Sequence, residues 1–179
     1  QTNSLQAYQL IYQTIVNLQS DSIDQIQLNG NIFHRDEVLP IWLKVNNKSN
    51  LSSYHICQAI LLYFSENYKE SINHFEETRP HLDGIMGMFF VPIYYFYYSL
   101  AMLAEIEHVE VKKKKKFRNV VYKNLKKLEN WSHHAPMNFE NKYLLVKAEL
   151  ARIDKKFENA FKCYNKSIEL ARQNGFLPE

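Results

Sequence analysis

The stretch KYLLVKAELARIDKKFENAFKCYNKSIELARQNG, residues 142–175, decides the fold predicted for this chain. Apolar residues recur at helical spacing on both sides of Asp154-Lys155-Lys156, which predicts two amphipathic helices joined by a tight turn. Small residues fall where the two helices would touch, and larger ones fall at the turn and along the apolar face: Ala148, Ala151, Phe157, Ala160, Tyr164 and Ser167. Such a hairpin cannot bury its apolar face alone and needs neighbouring helices stacked on it.

A second copy of the pattern lies 89 residues earlier in the chain. Its members have the same spacing and the same alternation of small and large side chains: Ala59, Leu62, Tyr68, Ser71, Phe75 and Thr78. The turns also correspond, because Asn67-Tyr68-Lys69-Glu70 stands where the later copy has Lys156-Phe157-Glu158-Asn159. The constant offset predicts that both stretches are the same helical hairpin and that another pair of helices lies between them.

The composition favours helices throughout. Hydrophobic residues make up 46% of the 179 residues and charged ones 23%, as in ordinary globular proteins. Only 4 glycines and 5 prolines are present, which argues against a loop-rich or all-β fold. Cys57 and Cys163 form no C-x-x-C pair, so we expect two free, buried thiols in a reducing compartment.

Helical periodicity extends over most of the remaining chain. Residues 1–19 predict a helix, because apolar residues recur there with a period near 3.6: Leu5, Tyr8, Ile11, Tyr12, Ile15, Val16 and Leu18. The next helix is expected to start at a capping Asp36, with Pro40 near its first turn, and to turn Leu39, Trp42, Leu43 and Val45 inward. A third is expected from a cap at Ser52 or Ser53 to about residue 66. Two more are expected over residues 88–108, where the aromatic residues surround the helix axis, and over residues 117–133.

These elements predict an all-α fold, a right-handed stack of about four antiparallel helix pairs. We expect residues 1–179 to form one domain and to be a fragment of a larger protein, with a further repeat packed on the outer face of its last hairpin. Stacked repeats offer a groove in which a peptide, a helix or a neighbouring domain of the same chain can lie.

The pattern of small residues resembles the tetratricopeptide repeat (TPR), a helix–turn–helix of about 34 residues. The likeness is good in the second helix of each copy. It is weaker in the first helix, where Lys147 and Gln58 stand at positions that the TPR consensus fills with leucine. The irregular repeat length makes TPR-like the appropriate term.

A narrower resemblance rests on four segments: QLNGNIFHRDEVLP, GIMGMFFVPIYYFYYSLAMLAEIE, NWSHHAPMNFENKYLLVKAELARI and YNKSIELARQNGF. They are similar to the helical region of large bacterial multidomain signalling kinases. In that family a Ser/Thr-kinase-like domain and an AAA-type ATPase precede the helical region, and a GAF domain and a sensor histidine kinase follow it. The resemblance implies a cytoplasmic, non-catalytic module of a two-component signalling protein that binds proteins and couples its neighbours.

The chain departs from that family at a run of lysines. Residues 1–90 carry 5 basic and 9 acidic side chains, whereas residues 91–179 carry 17 basic and 10 acidic ones. The basic excess is densest around the connection between the helices expected over residues 88–108 and 117–133, at Lys112, Lys113, Lys114, Lys115, Lys116 and Arg118. A solvated loop is the simplest interpretation, and the alternative function is a helical repeat that binds nucleic acid through this run. Aromatic residues that could stack on bases are absent from the run itself.

No pattern in the sequence predicts catalysis, a cofactor or a metal. Gly84 and Gly87 lack the Gly-Lys-Ser/Thr ending of a phosphate-binding loop, so a turn before a helix accounts for them. His133 and His134 are adjacent and point in different directions on a helix, and His74 and His81 have no carboxylate or cysteine beside them. No segment has the roughly eighteen consecutive apolar residues of a membrane span. The sequence therefore predicts a protein-binding module and no small-molecule substrate.

Overall fold

The computed structural model describes residues 2–20 and 26–176, and these form an all-α, TPR-like fold. The helices are α1 (Thr2–Gln19), α2 (Arg35–Lys44), α3 (Lys48–Phe64), α4 (Tyr68–Thr78), α5 (Phe90–Glu105), α6 (Val111–His134), α7 (Pro136–Ile153) and α8 (Phe157–Gln173). Short 3₁₀ helices follow α4 at Arg79–Ile85 and α5 at Ile106–His108. Within the described ranges, β-structure is limited to a single antiparallel bridge between Asn29 and His34.

The chain divides into two compact units, Gln1–Tyr94 and Tyr95–Glu179. In unit 1, α1, α2 and α4 all contact α3, and the core contains the fully buried Trp42 and Phe75. In unit 2, α7 contacts both α6 and α8, and Phe117 and Leu128 of α6 are fully buried. The acidic excess belongs to unit 1 and the basic excess to unit 2, because residues 91–94 carry no charge.

One turn conformation ends four of the helices. After α3, Glu66 has φ 59°, the N–H of Asn67 donates to the Leu62 carbonyl and that of Glu66 to the Tyr63 carbonyl. After α7, 89 residues later, Lys155 has φ 58° and the same two bonds run from Lys156 to Ala151 and from Lys155 to Arg152. Asn46 and Gly175 also have positive φ, and the same pair of bonds closes α2 and α8. These are Schellman motifs, and their geometry confirms that the two turns correspond.

The helix predicted over residues 1–19 is confirmed as α1, but its apolar side chains do not form the buried face. Most of them are exposed: Leu5, Tyr8, Tyr12, Ile15, Val16 and Leu18. The buried face instead contains Leu10, Gln13, Thr14 and Asn17. Gln13 donates to Asn17 (2.7 Å), and Asn17 donates to the Gln27 carbonyl (2.9 Å), so these polar groups are buried with hydrogen-bond partners.

Two predicted helix starts are wrong. Helix α2 begins at Arg35, one residue before the expected cap, and Asp36 forms an ion pair with Arg35 (2.7 Å). Pro40 therefore lies well inside α2, which buries Trp42 and leaves Leu43 and Val45 exposed.

Helix α3 starts earlier than the predicted Ser52 or Ser53 cap. Asn47 caps it by accepting a hydrogen bond from the N–H of Asn50 (3.2 Å). Ser52 and Ser53 lie inside the helix and donate to the carbonyls of His81 (2.7 Å) and Ser49 (3.0 Å).

The lysine run belongs to a helix rather than to a connection. Helix α6 begins at Val111 and not at the expected Phe117, so all five consecutive lysines are helical. Helix α5 is shorter than predicted, and each of its residues is buried or half-buried, as expected for a helix that is apolar all round.

Candidate functional site

Unit 1 contains an uncharged groove, named here the α1 groove. Its walls come from α1, from the start of α3 and from the segment that leads into α5: Ala7, Tyr8, Ile11, Asn47, Ser49, Asn50, Ser53, Met88, Phe89 and Phe90. Tyr8 and Phe89 are 71% and 58% exposed, so large apolar surfaces face solvent at the rim. Phe90 is buried and stacks on Phe89 with ring centroids 4.3 Å apart, which supports the exposed ring from beneath.

Glycine positions the segment that carries Met88 and Phe89. Gly87 has φ 80°, a conformation that turns the chain sharply and strains other residues. At Gly84 a Cβ atom would lie 2.7 Å from the Lys48 Cβ and 2.8 Å from the Ser49 backbone nitrogen, so glycine is required for this close approach to α3. The ion pair between Lys48 and Asp83 (2.6 Å) joins the same two segments. The predicted turn before a helix is thus confirmed.

Polar side chains that line the groove already form hydrogen bonds within the protein. The Asn47 side chain caps α3, and the Ser53 hydroxyl donates to the Ser49 carbonyl. The Ser49 hydroxyl lies 4.0 Å from the Met88 sulfur. The surface left for a ligand is therefore mainly apolar, which suits the apolar side chains of a polypeptide.

The groove continues onto an exposed apolar stripe of α1, consisting of Leu5, Tyr8, Tyr12 and Ile15. Their spacing of three and four residues places them on one helix face, and they are between 45% and 71% exposed. Helix α1 contains no charged residue in its 18 positions. Contiguous apolar surface of this kind marks interaction sites in soluble proteins.

Four lysines of the predicted basic patch, Lys112, Lys113, Lys115 and Lys116, line one surface groove together with Glu110. Arg118 forms an ion pair with Asp154, Lys114 donates to the Glu107 carbonyl (3.3 Å), and Lys113 lies over the Phe117 ring (5.4 Å). The remaining lysines of the run share an exposed side of α6 with lysines further along the helix. This surface, named here the lysine face, consists of Lys112, Lys115, Lys116, Lys123, Lys126 and Lys127.

Most of the predicted repeat-packing residues lie inside their hairpins. The buried members are Ala59, Leu62, Ser71, Phe75, Ala148, Ala160 and Ser167. The hydroxyl of Ser71 donates to the Ala59 carbonyl (2.8 Å), and that of Ser167 donates to the Asn141 carbonyl (2.7 Å), so each ties the second helix of a hairpin to the first.

Four members of that predicted set are less enclosed. Tyr68, Ala151 and Tyr164 are half-buried, and Phe157 is 65% exposed at the start of α8. Tyr164 donates a hydrogen bond to Glu149, and burial together with this bond raises the pKa of its phenol. Phe157 is therefore more exposed than its counterpart Tyr68, whose ring centroid lies 5.6 Å from that of Tyr63.

A histidine pair that the sequence analysis missed lies between α3 and α4. The Nδ1 atoms of His55 and His74 are 3.0 Å apart, so one ring donates to the other. Burial, followed by the nearby His74 and His81, lowers the pKa of His55 to about 4, and burial also lowers the pKa of His74. In the parts of the chain that the structure describes, no three histidine, cysteine, aspartate or glutamate residues are grouped so that they could hold a metal ion.

Cys57 and Cys163 are free thiols, as predicted, although only Cys57 is buried. Burial raises the pKa of the Cys57 thiol to about 11, so it is unreactive at neutral pH.

A family model described as CHK1-like TPR repeats matches residues 44–179. The chain belongs to this family. The match covers α3 to α8 and therefore both copies of the repeat. Neither the curated proteins nor the solved structures contain a match to the chain. TPR repeats generally mediate protein–protein interaction and are typically non-catalytic. Among the described helices, none has the length and apolar character needed to cross a membrane.

Proposed function

We propose that this CHK1-like chain is a non-catalytic protein-binding module that couples the ATPase and sensor-kinase parts of a multidomain signalling kinase. The observation that carries the proposal is the uncharged, exposed stripe of α1 beside the α1 groove, in a family whose repeats bind proteins. The whole of residues 1–179 acts in this proposal as one TPR-like repeat domain of a bacterial two-component protein. The free thiols fit a cytoplasmic location.

The chemistry of the surface defines the expected partner segment. Because the groove and stripe carry no charge, ion pairs cannot supply the affinity, and apolar burial has to supply it. The stripe follows one face of α1, so an amphipathic helix packed along it would present apolar residues at the same spacing of three and four. Tyr8 and Phe89 are the expected anchors, since large exposed rings next to a groove dominate such interfaces.

The proposal is tested by capturing the flanking domains with this chain. The ATPase part and the sensor-kinase part of the parent, expressed separately, are passed over immobilised chain, and at least one is expected to be retained. The variant Tyr8→Ser/Phe89→Ser is expected to lose this retention. Because both rings are mostly exposed, the free energy of unfolding should change by less than about 1 kcal/mol.

The matched control is Phe157→Ser/Phe161→Ser, which removes two rings that are 65% and 66% exposed on α8. It is expected to retain the partner as the unmodified chain does. Retention of neither flanking part would refute the coupling role, and equal losses in both variants would refute the assignment to the α1 groove.

A further inference from the structure

The lysine face of α6 is a second surface, on unit 2, that the α1 groove does not explain. Helix α6 contains nine basic residues and one acidic residue, Glu129. Glu129 accepts a hydrogen bond from Tyr143 (2.8 Å) and is half-buried. The exposed side of α6 is therefore cationic over its first seventeen residues, without a carboxylate between the lysines.

This arrangement destabilises the helix that carries it. Lys112 and Lys116, and again Lys123 and Lys127, are four residues apart, where like charges repel across one helical turn. The lysine run also occupies the first turns of α6, where the helix dipole disfavours positive charge. The one carboxylate at this end belongs to Glu110, the exposed residue that precedes the helix, and it faces five consecutive lysines. A negatively charged partner would relieve both costs.

The lysine face runs along one side of α6. At 1.5 Å per residue, Lys112 and Lys127 are separated by about 22 Å along the axis, and at 100° per residue the six lysines occupy an arc of about 120°. A polypeptide lying on the helix can follow this line over its whole length. A strand of B-DNA winds through about two thirds of a turn in the same distance and leaves the line.

Other features of α6 argue against a lipid surface and against single-stranded nucleic acid. Basic helices that lie in a membrane insert their apolar face, but here that face, with Phe117, Val121 and Leu128, is fully buried in unit 2. Single-stranded nucleic acid is held by several aromatic rings interleaved with the charges. On α6 the exposed ring next to the lysines is that of Tyr122, at the edge of the face, and the half-buried Tyr95 ring lies under Lys127 (4.8 Å). Lysine also lacks the fork of donors with which arginine grips phosphate.

We propose that the lysine face of α6 binds an acidic segment of a partner polypeptide. The segment lies along α6 with several carboxylates facing the lysines. In an acidic helix, carboxylates four residues apart repeat every 6 Å or so, which matches the interval between Lys112 and Lys116. This surface acts independently of the α1 groove.

The test uses fluorescence anisotropy with a labelled glutamate-rich peptide. The variant is Lys112→Gln/Lys123→Gln/Lys126→Gln, because these side chains make no hydrogen bond, ion pair or ring contact among the described residues. The control, Lys44→Gln/Lys69→Gln/Lys162→Gln, removes the same charge from exposed lysines on α2, α4 and α8. We expect the variant to weaken binding about tenfold and the control to weaken it less than about twofold.

The unfolding temperature of the variant and the salt dependence of peptide binding distinguish a binding role of these lysines from a role in folding. Thermal unfolding of the variant should occur at the same temperature as in the unmodified chain or at a higher one, since repulsion within α6 is reduced. Peptide affinity should fall as the salt concentration rises, because exposed charges are screened. A variant that binds less because it unfolds would contradict the proposal.

Two comparisons set the chemical class of the partner. A DNA duplex and vesicles containing phosphatidylserine, at the same total charge as the peptide, should bind no more tightly than the peptide does. If the duplex binds more tightly and the lysine variant loses it, the surface is a nucleic-acid interface and the proposal is wrong. If the control loses as much affinity for the peptide as the variant, only net charge matters and the proposal is equally wrong. Neither result affects the Tyr8 and Phe89 experiment.

Discussion

Replacing Lys155 by glycine is expected to stabilise the protein. Lys155 is the residue with φ 58° in the turn between α7 and α8, and a side chain in this left-handed region costs about 1–2 kcal/mol relative to glycine. Glycine recovers that strain but has more backbone freedom in the unfolded chain, which costs about 0.5–1 kcal/mol. The difference predicts a net gain of about 0.5–1 kcal/mol in the free energy of unfolding.

Lys155→Ala is the matched control, because alanine removes the same side chain but keeps the strained conformation. It should be no more stable than the unmodified chain, whereas Lys155→Gly should unfold about 2 °C higher. Thermal and urea unfolding followed by far-UV circular dichroism measure both. Glu66→Gly and Glu66→Ala repeat the comparison at φ 59° in the corresponding turn after α3. A glycine variant no more stable than its alanine partner at both positions would refute the strain assigned to these residues, and a gain at only one position would refute the equivalence of the two turns.

Three further changes test the core, a helix cap and the histidine pair. Phe75→Ala should destabilise the protein by about 3–5 kcal/mol in urea unfolding, because its ring is fully buried and packs edge-on against Tyr94 at 5.6 Å; a cost below about 1 kcal/mol would contradict that packing. Asn47→Ala should cost about 1 kcal/mol through loss of the α3 cap, whereas Asn47→Asp should cost less. Because the pKa of His55 is about 4 when folded and near 6.5 when unfolded, stability should be intact above pH 7 and fall by up to about 3 kcal/mol as the pH drops from 6.5 to 4. His55→Gln/His74→Gln should remove most of that dependence, and an unchanged profile would place its cause elsewhere.

The repeat could be predicted from the sequence because its signal is local. A Schellman turn and the small residues around it use residues close in sequence, so a constant offset of 89 residues is visible without any long-range information. The positive φ of Glu66 and Lys155 could not be predicted from the residue types, since neither is glycine or asparagine.

The direction in which α1 packs could not be predicted in the same way. Its periodicity shows that two faces differ, and burial normally falls on the apolar one. Here Gln13 donates a hydrogen bond to Asn17, and Asn17 donates one to the Gln27 carbonyl. The polar face can therefore be buried at little cost in free energy. Which face of α1 is buried therefore depends on a hydrogen bond to a residue ten positions further along the chain. It leaves the apolar stripe exposed and so creates the candidate site.

The start of α6 was missed for a related reason. Five consecutive lysines have no apolar periodicity, and like charges at a helix N-terminus oppose helix formation. The helix nevertheless includes them, because it continues into Phe117, Val121 and Leu128, whose burial fixes the whole element. Local preference is overridden here by packing later in the helix.

Hydroxyl-radical footprinting of the full-length parent protein tests the central proposal most directly. Oxidation of Tyr8, Tyr12 and Met88 is compared between the parent and the isolated chain, in which these side chains are between 40% and 71% exposed. Met137, which is 61% exposed on α7, serves as the internal reference. We expect the α1 stripe and groove residues to be protected in the parent, while Met137 reacts equally in both. Equal oxidation of Tyr8, Tyr12 and Met88 in both proteins would contradict the proposal that this surface binds a partner.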